Sequence, residues 1–93
     1  MKDEFFQALS SPYRRRIIRM LRWKNMSVNE IVEQFDISQP SISRHLDILK
    51  KAGLVTAERR SNQMIYSLNM TTLQELMMYM TELIEGKEEL QYD

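Results

Sequence analysis

The chain has 93 residues, no cysteine, and 13 basic against 13 acidic side chains, so its formal net charge is zero. This length fits one domain with a single small core. The lack of thiols excludes disulfides, thiolate metal sites and cysteine catalysis. No apolar run approaches the ~20 residues of a membrane span, and the charged N-terminus is unlike a signal peptide, so we expect a cytoplasmic protein.

The charges are unevenly distributed along the chain. Residues 12–26 carry six positive charges and no acidic side chain, whereas residues 71–93 carry six acidic side chains and one lysine. This polarisation predicts one surface for an anionic partner and another that is kept away from it. The simpler alternative is that these are ordinary solvated helix faces.

The first part of the chain is predicted to form two short helices. Residues 3–9 open with two acidic residues and carry apolar side chains on one side. Ser11 as N-cap and Pro12 at the first helical position start a second helix, which we expect to end near Arg22. Its arginines are expected to point largely outward.

The next stretch has the pattern of a helix-turn-helix. Ser27 and Glu30 fit the capping box S-x-x-E, and the helix that they begin is expected to stop at Asp36-Ile37. Ser38 as N-cap and Gly53 as stop signal bound the second helix. Its apolar residues form one narrow stripe: Ile42, Leu46 and Leu49. Small hydroxyls, an amide, an arginine and a histidine occupy its N-terminal half, as suits a helix that reads the DNA major groove.

A hairpin and a last helix are predicted after this helix pair. Residues 54–59 and 63–68 are β-branched and aromatic runs around a turn-like centre, which predicts a two-stranded hairpin with a basic tip. Helix pair and hairpin together predict a winged helix: a mainly α domain with about five helices and a small antiparallel β wing. Thr72 and Glu75 offer a capping box for the last helix, and Gly86 ends it. Residues 87–93 are acidic and are expected to be frayed.

Three segments of the chain match the motifs of one family. Residues 8–18 (ALSSPYRRRII) follow its opening LxDPxRxxIL, with Ser11 in place of the usual Asp. Residues 38–55 follow SQPxVSxHLxxLxxAGLV, and residues 64–68 match its second wing strand. In these segments the chain resembles the ArsR (ArsR/SmtB) family of winged helix-turn-helix repressors. The resemblance implies one domain over residues 1–93 and a homodimer that binds palindromic operator DNA and represses transcription. It also implies dimerisation through the first helix (about 3–9) and the last (about 72–85).

The motifs that hold metal in many members of this family are missing. At the thiolate motif ELCVCDL the chain has Ser27 and Asn29 in place of the two thiols. At the positions of the zinc ligands of the last helix it has Met70, Thr72, Leu83 and Gly86. The resemblance therefore points to the metal-independent, SdpR-like autorepressor branch, without metal or cofactor. The usual wing-tip glycine is Ser61, so Ser61 or Asn62 is expected to take the strained turn conformation.

Candidate site residues follow from this reading. The predicted DNA-binding residues are Ser38, Gln39, Pro40, Ser41, Ser43, Arg44, His45, Arg14, Arg59, Arg60 and Asn62. Arg44 is the candidate for hydrogen bonds to guanine O6 and N7, whereas the arginine run 14–16 and the wing arginines are expected to contact phosphates. The three consecutive arginines point in different directions around a helix, so not all of them can face one duplex. The predicted dimer interface comprises Phe5, Phe6, Leu9, Leu73, Leu76, Met77, Met80, Leu83 and Ile84.

The sequence also fits other functions. A metal- or ligand-responsive repressor would use an unrecognised site, which Glu85, Glu88 and Glu89 near a dimer axis suggest weakly. A winged-helix module that binds a protein instead of DNA would account for the zero net charge. If no small ligand relieves repression, the other routes to relief are controlled synthesis of this protein or its capture by a protein partner. An enzyme is not expected, because a Gly-rich phosphate loop and a nucleophile–histidine–acid set are both missing.

Overall fold

The computed structural model describes residues 3–86. The acidic tail over residues 87–93, with Glu88 and Glu89, lies outside the described residues. The elements in chain order are α1 (Asp3–Leu9), α2 (Pro12–Leu21), β1 (Met26–Ser27), α3 (Val28–Val32), α4 (Gln39–Lys51), β2 (Val55–Arg60), β3 (Gln63–Leu68) and α5 (Met70–Glu85). The predicted mainly α architecture with a β wing is confirmed. Within the described range, every helix is too short or too polar to cross a membrane.

Serine side chains start three of the helices as predicted. The hydroxyl oxygens of Ser11, Ser27 and Ser38 accept hydrogen bonds from the backbone amides three residues further on, at 3.3, 3.2 and 3.3 Å. The Glu30 carboxylate in turn accepts the Ser27 amide at 2.9 Å, which completes the capping box of α3. These caps satisfy amide groups that have no partner inside the helix.

The predicted ends of α3 and α5 need correction. α3 ends at Val32 instead of Asp36, and tighter i→i+3 bonds follow, such as the Phe35 amide to the Val32 carbonyl at 3.1 Å. Phe35 is nevertheless buried, so its apolar position imitated another helical turn. α5 begins at Met70, because Asn69 is its N-cap and accepts the Thr72 amide at 3.4 Å. The predicted cap at Thr72 is therefore wrong, whereas the predicted end at Gly86 is confirmed.

The wing has three strands instead of the predicted two. The strand order is β1-β3-β2, with all neighbours antiparallel. In β1, Met26 pairs with Tyr66 and Ser27 with Ile65, so the sheet is joined directly to the start of α3. At the wing tip Ser61 has a φ of 54°, which confirms the expected strained conformation at one of the two candidate positions.

The core lies between the helices and the base of the wing. The α4 stripe is confirmed, since Ile42, Leu46 and Leu49 are fully buried. α4 ends in a Schellman motif, in which the Leu54 amide donates to Leu49 O and the Gly53 amide to Lys50 O, both at 3.0 Å. Gly53 has a φ of 78°, a left-handed conformation that suits glycine. This tight exit leads α4 directly into β2.

Candidate nucleic-acid interface

Burial of the α4 stripe turns the opposite face of that helix outward. Gln39, Pro40, Ser43 and Arg44 are exposed. The side chains of Gln39, Ser43 and Arg44 make no hydrogen bond or ion pair with any residue in the range 3–86. Their donors and acceptors are therefore free for an outside partner. An arginine beside an amide and a hydroxyl can form hydrogen bonds with base edges in the major groove.

Two serines at the start of α4 are engaged with each other. The Ser38 hydroxyl donates to the Ser41 hydroxyl oxygen at 3.0 Å and also accepts the Ser41 amide. Ser38 is therefore an N-cap, and contact of either serine with DNA stays a prediction. Pro40 has no amide hydrogen and the Ile42 amide donates to Ser38 O, so the Gln39 amide is left free at this helix end, where the dipole favours an anion such as a phosphate.

Arg14 and His45 form a link between α1, α2 and α4. The Arg14 guanidinium donates to Ala8 O at 2.7 Å and to Gln7 O at 3.0 Å, and its third nitrogen lies 3.0 Å from His45 Nδ1. The His45 ring stacks on the Tyr13 ring, with the two ring centroids 5.5 Å apart. Partial burial, followed by the positive charges of Arg14 and Arg44, holds the pKa of His45 below its ordinary value. The imidazole is therefore neutral at physiological pH.

The arginine run 14–16 binds backbone carbonyls. Arg15 donates to Leu9 O at 2.8 Å, and Arg16 donates to Gln34 O at 2.7 Å while its guanidinium lies 4.5 Å from the Phe35 ring centroid. With Arg14, these side chains satisfy carbonyls at the end of α1 and beyond the end of α3, where the helix dipole favours cations. Phosphate contact by Arg14 stays a prediction, but its guanidinium already holds structural partners.

Sequence reasoning missed these internal roles. The carbonyl partners of Arg14, Arg15 and Arg16 lie 6 to 18 residues away along the chain, beyond any local pattern. It also missed Tyr13, which carries the stacking contact with His45. Neither relationship has a periodic signal in the sequence.

The wing tip presents basic and polar side chains to solvent. Arg59, Arg60 and Asn62 are exposed. Arg60 lies 3.3 Å from the Glu58 carboxylate, whereas Arg59 has no ion-pair partner among the described residues. The Arg60–Glu58 pair is largely exposed and contributes little to stability. Arg59 is the freer of the two cations for a phosphate.

The predicted dimer residues divide into two groups. Phe5, Leu9 and Leu73 pack against the core of their own chain, and Leu76 is half-buried. The others are exposed: Phe6 at 41%, Met77 at 63%, Met80 at 46%, Leu83 at 48% and Ile84 at 82%. Exposed apolar side chains of this kind are typical of interaction sites. We call these five residues the α1/α5 face.

The positions that hold metal in relatives carry other roles in this chain. Ser27 caps α3 and is buried, and Thr72 is buried within the first turn of α5. Across residues 3–86, no three histidine, cysteine, aspartate or glutamate side chains come together as a group that could hold a metal ion.

The fold and the site define a class of protein. A helix pair whose second helix has an exposed polar face, followed by a basic-tipped hairpin, is a winged helix-turn-helix. The family model described as "Bacterial regulatory protein, arsR family" matches residues 11–57. The chain belongs to the arsR family, as its motifs predicted. Its function is therefore regulatory and not enzymatic.

Similarity to individual proteins extends over most of the chain. It is 43% identical over 82 residues to the transcriptional repressor SdpR of Bacillus subtilis (strain 168), covering 88% of this chain and 91% of that protein. It is 42% identical over 65 residues to the repressor SmtB of Mycobacterium tuberculosis, covering 70% of this chain but 48% of that protein. A crystal structure of an ArsR family transcriptional regulator matches with a TM-score of 0.86 over 95% of this chain and 97% of that chain. At 23% identity, that match shows the fold alone.

Proposed function

We propose that this protein is a transcriptional repressor that binds a palindromic DNA operator as a homodimer in the cytoplasm, where the DNA is. The observation that carries the proposal is the exposed face of α4, whose Gln39, Ser43 and Arg44 have no partner within residues 3–86. The similarity to SdpR, named a transcriptional repressor, supports repression as the outcome of binding.

The proposed contacts divide into reading and anchoring. α4 enters the major groove, where Arg44 binds guanine O6 and N7, a contact that discriminates by ~1–3 kcal/mol. Gln39 and Ser43 lie on the same exposed face and complete the reading surface. Arg59 at the wing anchors a phosphate, which adds affinity without sequence information. The other predicted contacts belong to the same proposal as flanking groups: Ser38, Pro40, Ser41, Arg14, His45, Arg60 and Asn62.

The α1/α5 face supports the proposed homodimer. Its five apolar side chains are partly or largely exposed in the single chain, and a second copy would remove them from water. A two-fold dimer presents two α4 helices to half-sites one helical turn apart, ~34–36 Å, or a multiple of that distance. A palindromic operator follows from this symmetry.

The side chains that could act as metal ligands are consistent with regulation that uses no bound metal. The residues described by the structure bring no metal-binding group together, and both metal motifs of the relatives are replaced. We propose an autorepressor whose operator lies in its own promoter and whose repression is relieved through a protein partner or controlled synthesis.

A binding assay on the protein's own promoter tests the proposal. Fluorescence polarisation compares the wild type with the double variant Arg44→Ala/His45→Ala on promoter and scrambled duplexes. Arg22→Ala is the matched control, because it removes an exposed arginine at the C-cap of α2 that lies over the Trp23 ring and belongs neither to α4 nor to the wing. We expect the double variant to lose the preference for promoter DNA, while Arg22→Ala keeps it.

Two results would contradict the proposal in different ways. Unchanged specific binding by the double variant would show that α4 is not the reading helix. Weak wild-type binding to every duplex, even at low salt where counterion release favours DNA binding, would instead favour a module that binds a protein.

A further inference from the structure

We infer that Arg14 is a positioning residue that fixes His45 as the tautomer protonated on Nε2 and directs that N–H to a hydrogen-bond acceptor on DNA. The inference rests on the proposed function, because it assigns a specific role to one side chain of the reading helix. It gives Arg14 a role beyond its proposed flanking contact with DNA, because here Arg14 acts through His45.

The tautomer follows from what the guanidinium can do. Arg14 has only N–H donors and no acceptor, so the His45 Nδ1 atom 3.0 Å away must accept. An imidazole that accepts at Nδ1 is neutral and carries its proton on Nε2. Arg14 itself is held by two carbonyls at the end of α1, those of Gln7 and Ala8. The Arg14 guanidinium, which selects the tautomer, is therefore held in place by the α1 carbonyls as well as by the imidazole.

The surroundings of the ring keep it neutral. The charged groups that act on His45 are Arg14 from α2 and Arg44 from α4, and both oppose an imidazolium. Tyr13 covers one face of the ring. No described carboxylate is hydrogen-bonded to the imidazole. Burial and the two arginines therefore act in the same direction.

The second ring nitrogen is available to a partner. His45 Nε2 has no hydrogen bond within residues 3–86. No side-chain nitrogen or oxygen in the described range is both enclosed and without a partner, so Nε2 reaches the protein surface. On a helix that enters the major groove, this N–H can donate to guanine O6 or N7, adenine N7, thymine O4 or a phosphate oxygen. The shared chemistry is one acceptor oxygen or nitrogen on the duplex.

Nuclear magnetic resonance tests the tautomer without DNA. His45 is the single histidine of the chain, so long-range proton–nitrogen spectra contain one imidazole pattern. We expect the Nε2-protonated form at neutral pH, and a tautomer mixture with a raised imidazole pKa in Arg14→Gln. Arg15→Gln is the matched control, because it loses the same charge and also bonds the end of α1, through Leu9 O, but not His45. A mixture or an Nδ1-protonated ring in the wild type would overturn the inference, as would equal shifts in both variants.

Binding assays test the role of the Nε2 donor. His45→Gln keeps an amide near the Nε2 position, whereas His45→Asn keeps only one near Nδ1. We expect His45→Gln to stay within a few-fold of wild-type affinity and His45→Asn to lose roughly ten- to a hundredfold, the range of two ordinary hydrogen bonds, one from each subunit of the proposed dimer. Equal affinity of His45→Asn and wild type would overturn the donor role.

The same variants separate the two sources of the acceptor. A loss on promoter DNA alone assigns the acceptor to a base, whereas an equal loss on scrambled DNA assigns it to a phosphate. Both results support the Nε2 donor. If the wild type binds no duplex at all, the proposed function and the donor role fail together, while the tautomer result is decided separately by the spectra.

Discussion

The aromatic rings of Phe6 on α1 and Tyr79 on α5 lie 6.1 Å apart and are tilted by 58° to each other. The contact joins the first and last helices of the chain, which are remote in sequence. Tyr79 lies one helical turn before Leu83, so the contact brings Phe6 towards the part of α5 that carries exposed apolar side chains. Through Tyr79, the Phe6 part and the α5 part of the α1/α5 face are linked.

Leu83→Asp should dissociate the proposed dimer. Leu83 is 48% exposed in the single chain, so a charge there leaves the monomer intact but meets the apolar partner surface. Each Leu83 has about half of its surface left to bury, so the two copies in the dimer together lose ~1.5–3 kcal/mol, roughly ten- to a hundredfold in dissociation constant. Sedimentation equilibrium measures the change. Gln74→Asp, an exposed polar position of α5, should leave the dimer unchanged, and a Leu83→Asp dimer of wild-type affinity would rule out this face.

Ser38→Asp should separate the stability of α4 from its binding to DNA. Aspartate caps a helix as well as serine, so the free energy of unfolding should stay near the wild-type value, whereas Ser38→Ala should lose about 1 kcal/mol. The new carboxylate would face the phosphates that the α4 N-terminus approaches, so operator affinity should fall by about tenfold or more. Urea unfolding and fluorescence polarisation measure the two effects. Undiminished DNA affinity in Ser38→Asp would place this helix end away from the duplex.

Local signals explain why α4 could be predicted from sequence. Its cap at Ser38, its apolar stripe and its stop at Gly53 all lie within one short segment, so neighbouring residues determine them. The wing hairpin was predictable for the same reason, since β2 and β3 flank their own turn. These elements also hold the side chains of the proposed reading surface, which is why those residues could be named from sequence.

Long-range partners explain what the sequence did not reveal. β1 has two residues and is a strand only because Met26 pairs with Tyr66, far along the chain. The sequence predicts a surface cation at Arg14, whereas in the structure its guanidinium is hydrogen-bonded to a backbone carbonyl and to the His45 imidazole. In both cases tertiary contacts decide the role, and no local pattern records them. The link between α1 and α4 was therefore beyond sequence reasoning.

Gly53→Ala should destabilise the protein through its backbone conformation. The φ of 78° at Gly53 costs an alanine about 1–2 kcal/mol. Crowding adds nothing, because an added Cβ would meet Thr72 Oγ1 at an ordinary 3.7 Å. Urea unfolding should show the loss. Gly86→Ala is the control: Gly86 has a similar φ of 68° but lies at the exposed end of α5, so its effect on global unfolding should be smaller. Equal losses in the two variants would contradict this account of the α4 exit.

Acid should weaken the capping box of α3. The bond from the Ser27 amide, followed by the charge of Lys24, holds the pKa of Glu30 below its ordinary value. A depressed carboxylate pKa means that the stabilisation is present above the unfolded-state pKa and is lost as the pH falls through the folded-state value.

Glu30→Gln should therefore show a smaller loss of unfolding free energy below pH ~4 than the wild type. His45, whose pKa is also lowered, acts in the same direction, but it is present in both proteins and so cancels in the comparison. Identical acid profiles for Glu30→Gln and wild type would contradict the assignment.

Arg59→Ala should reduce the salt dependence of DNA binding more than its specificity. Arg59 is exposed at the wing and has no ion-pair partner in residues 3–86, so its proposed partner is a phosphate. Each phosphate contact contributes about 0.9 to the slope of log affinity against log salt, and a dimer would carry two such arginines. The slope should therefore become less steep by about 2, with equal losses on promoter and scrambled duplexes.

Titrations at several salt concentrations measure the slope, with Arg22→Ala as the charge-matched control. A loss confined to promoter DNA would instead make Arg59 a base-reading residue, and an unchanged slope would remove the wing from the interface.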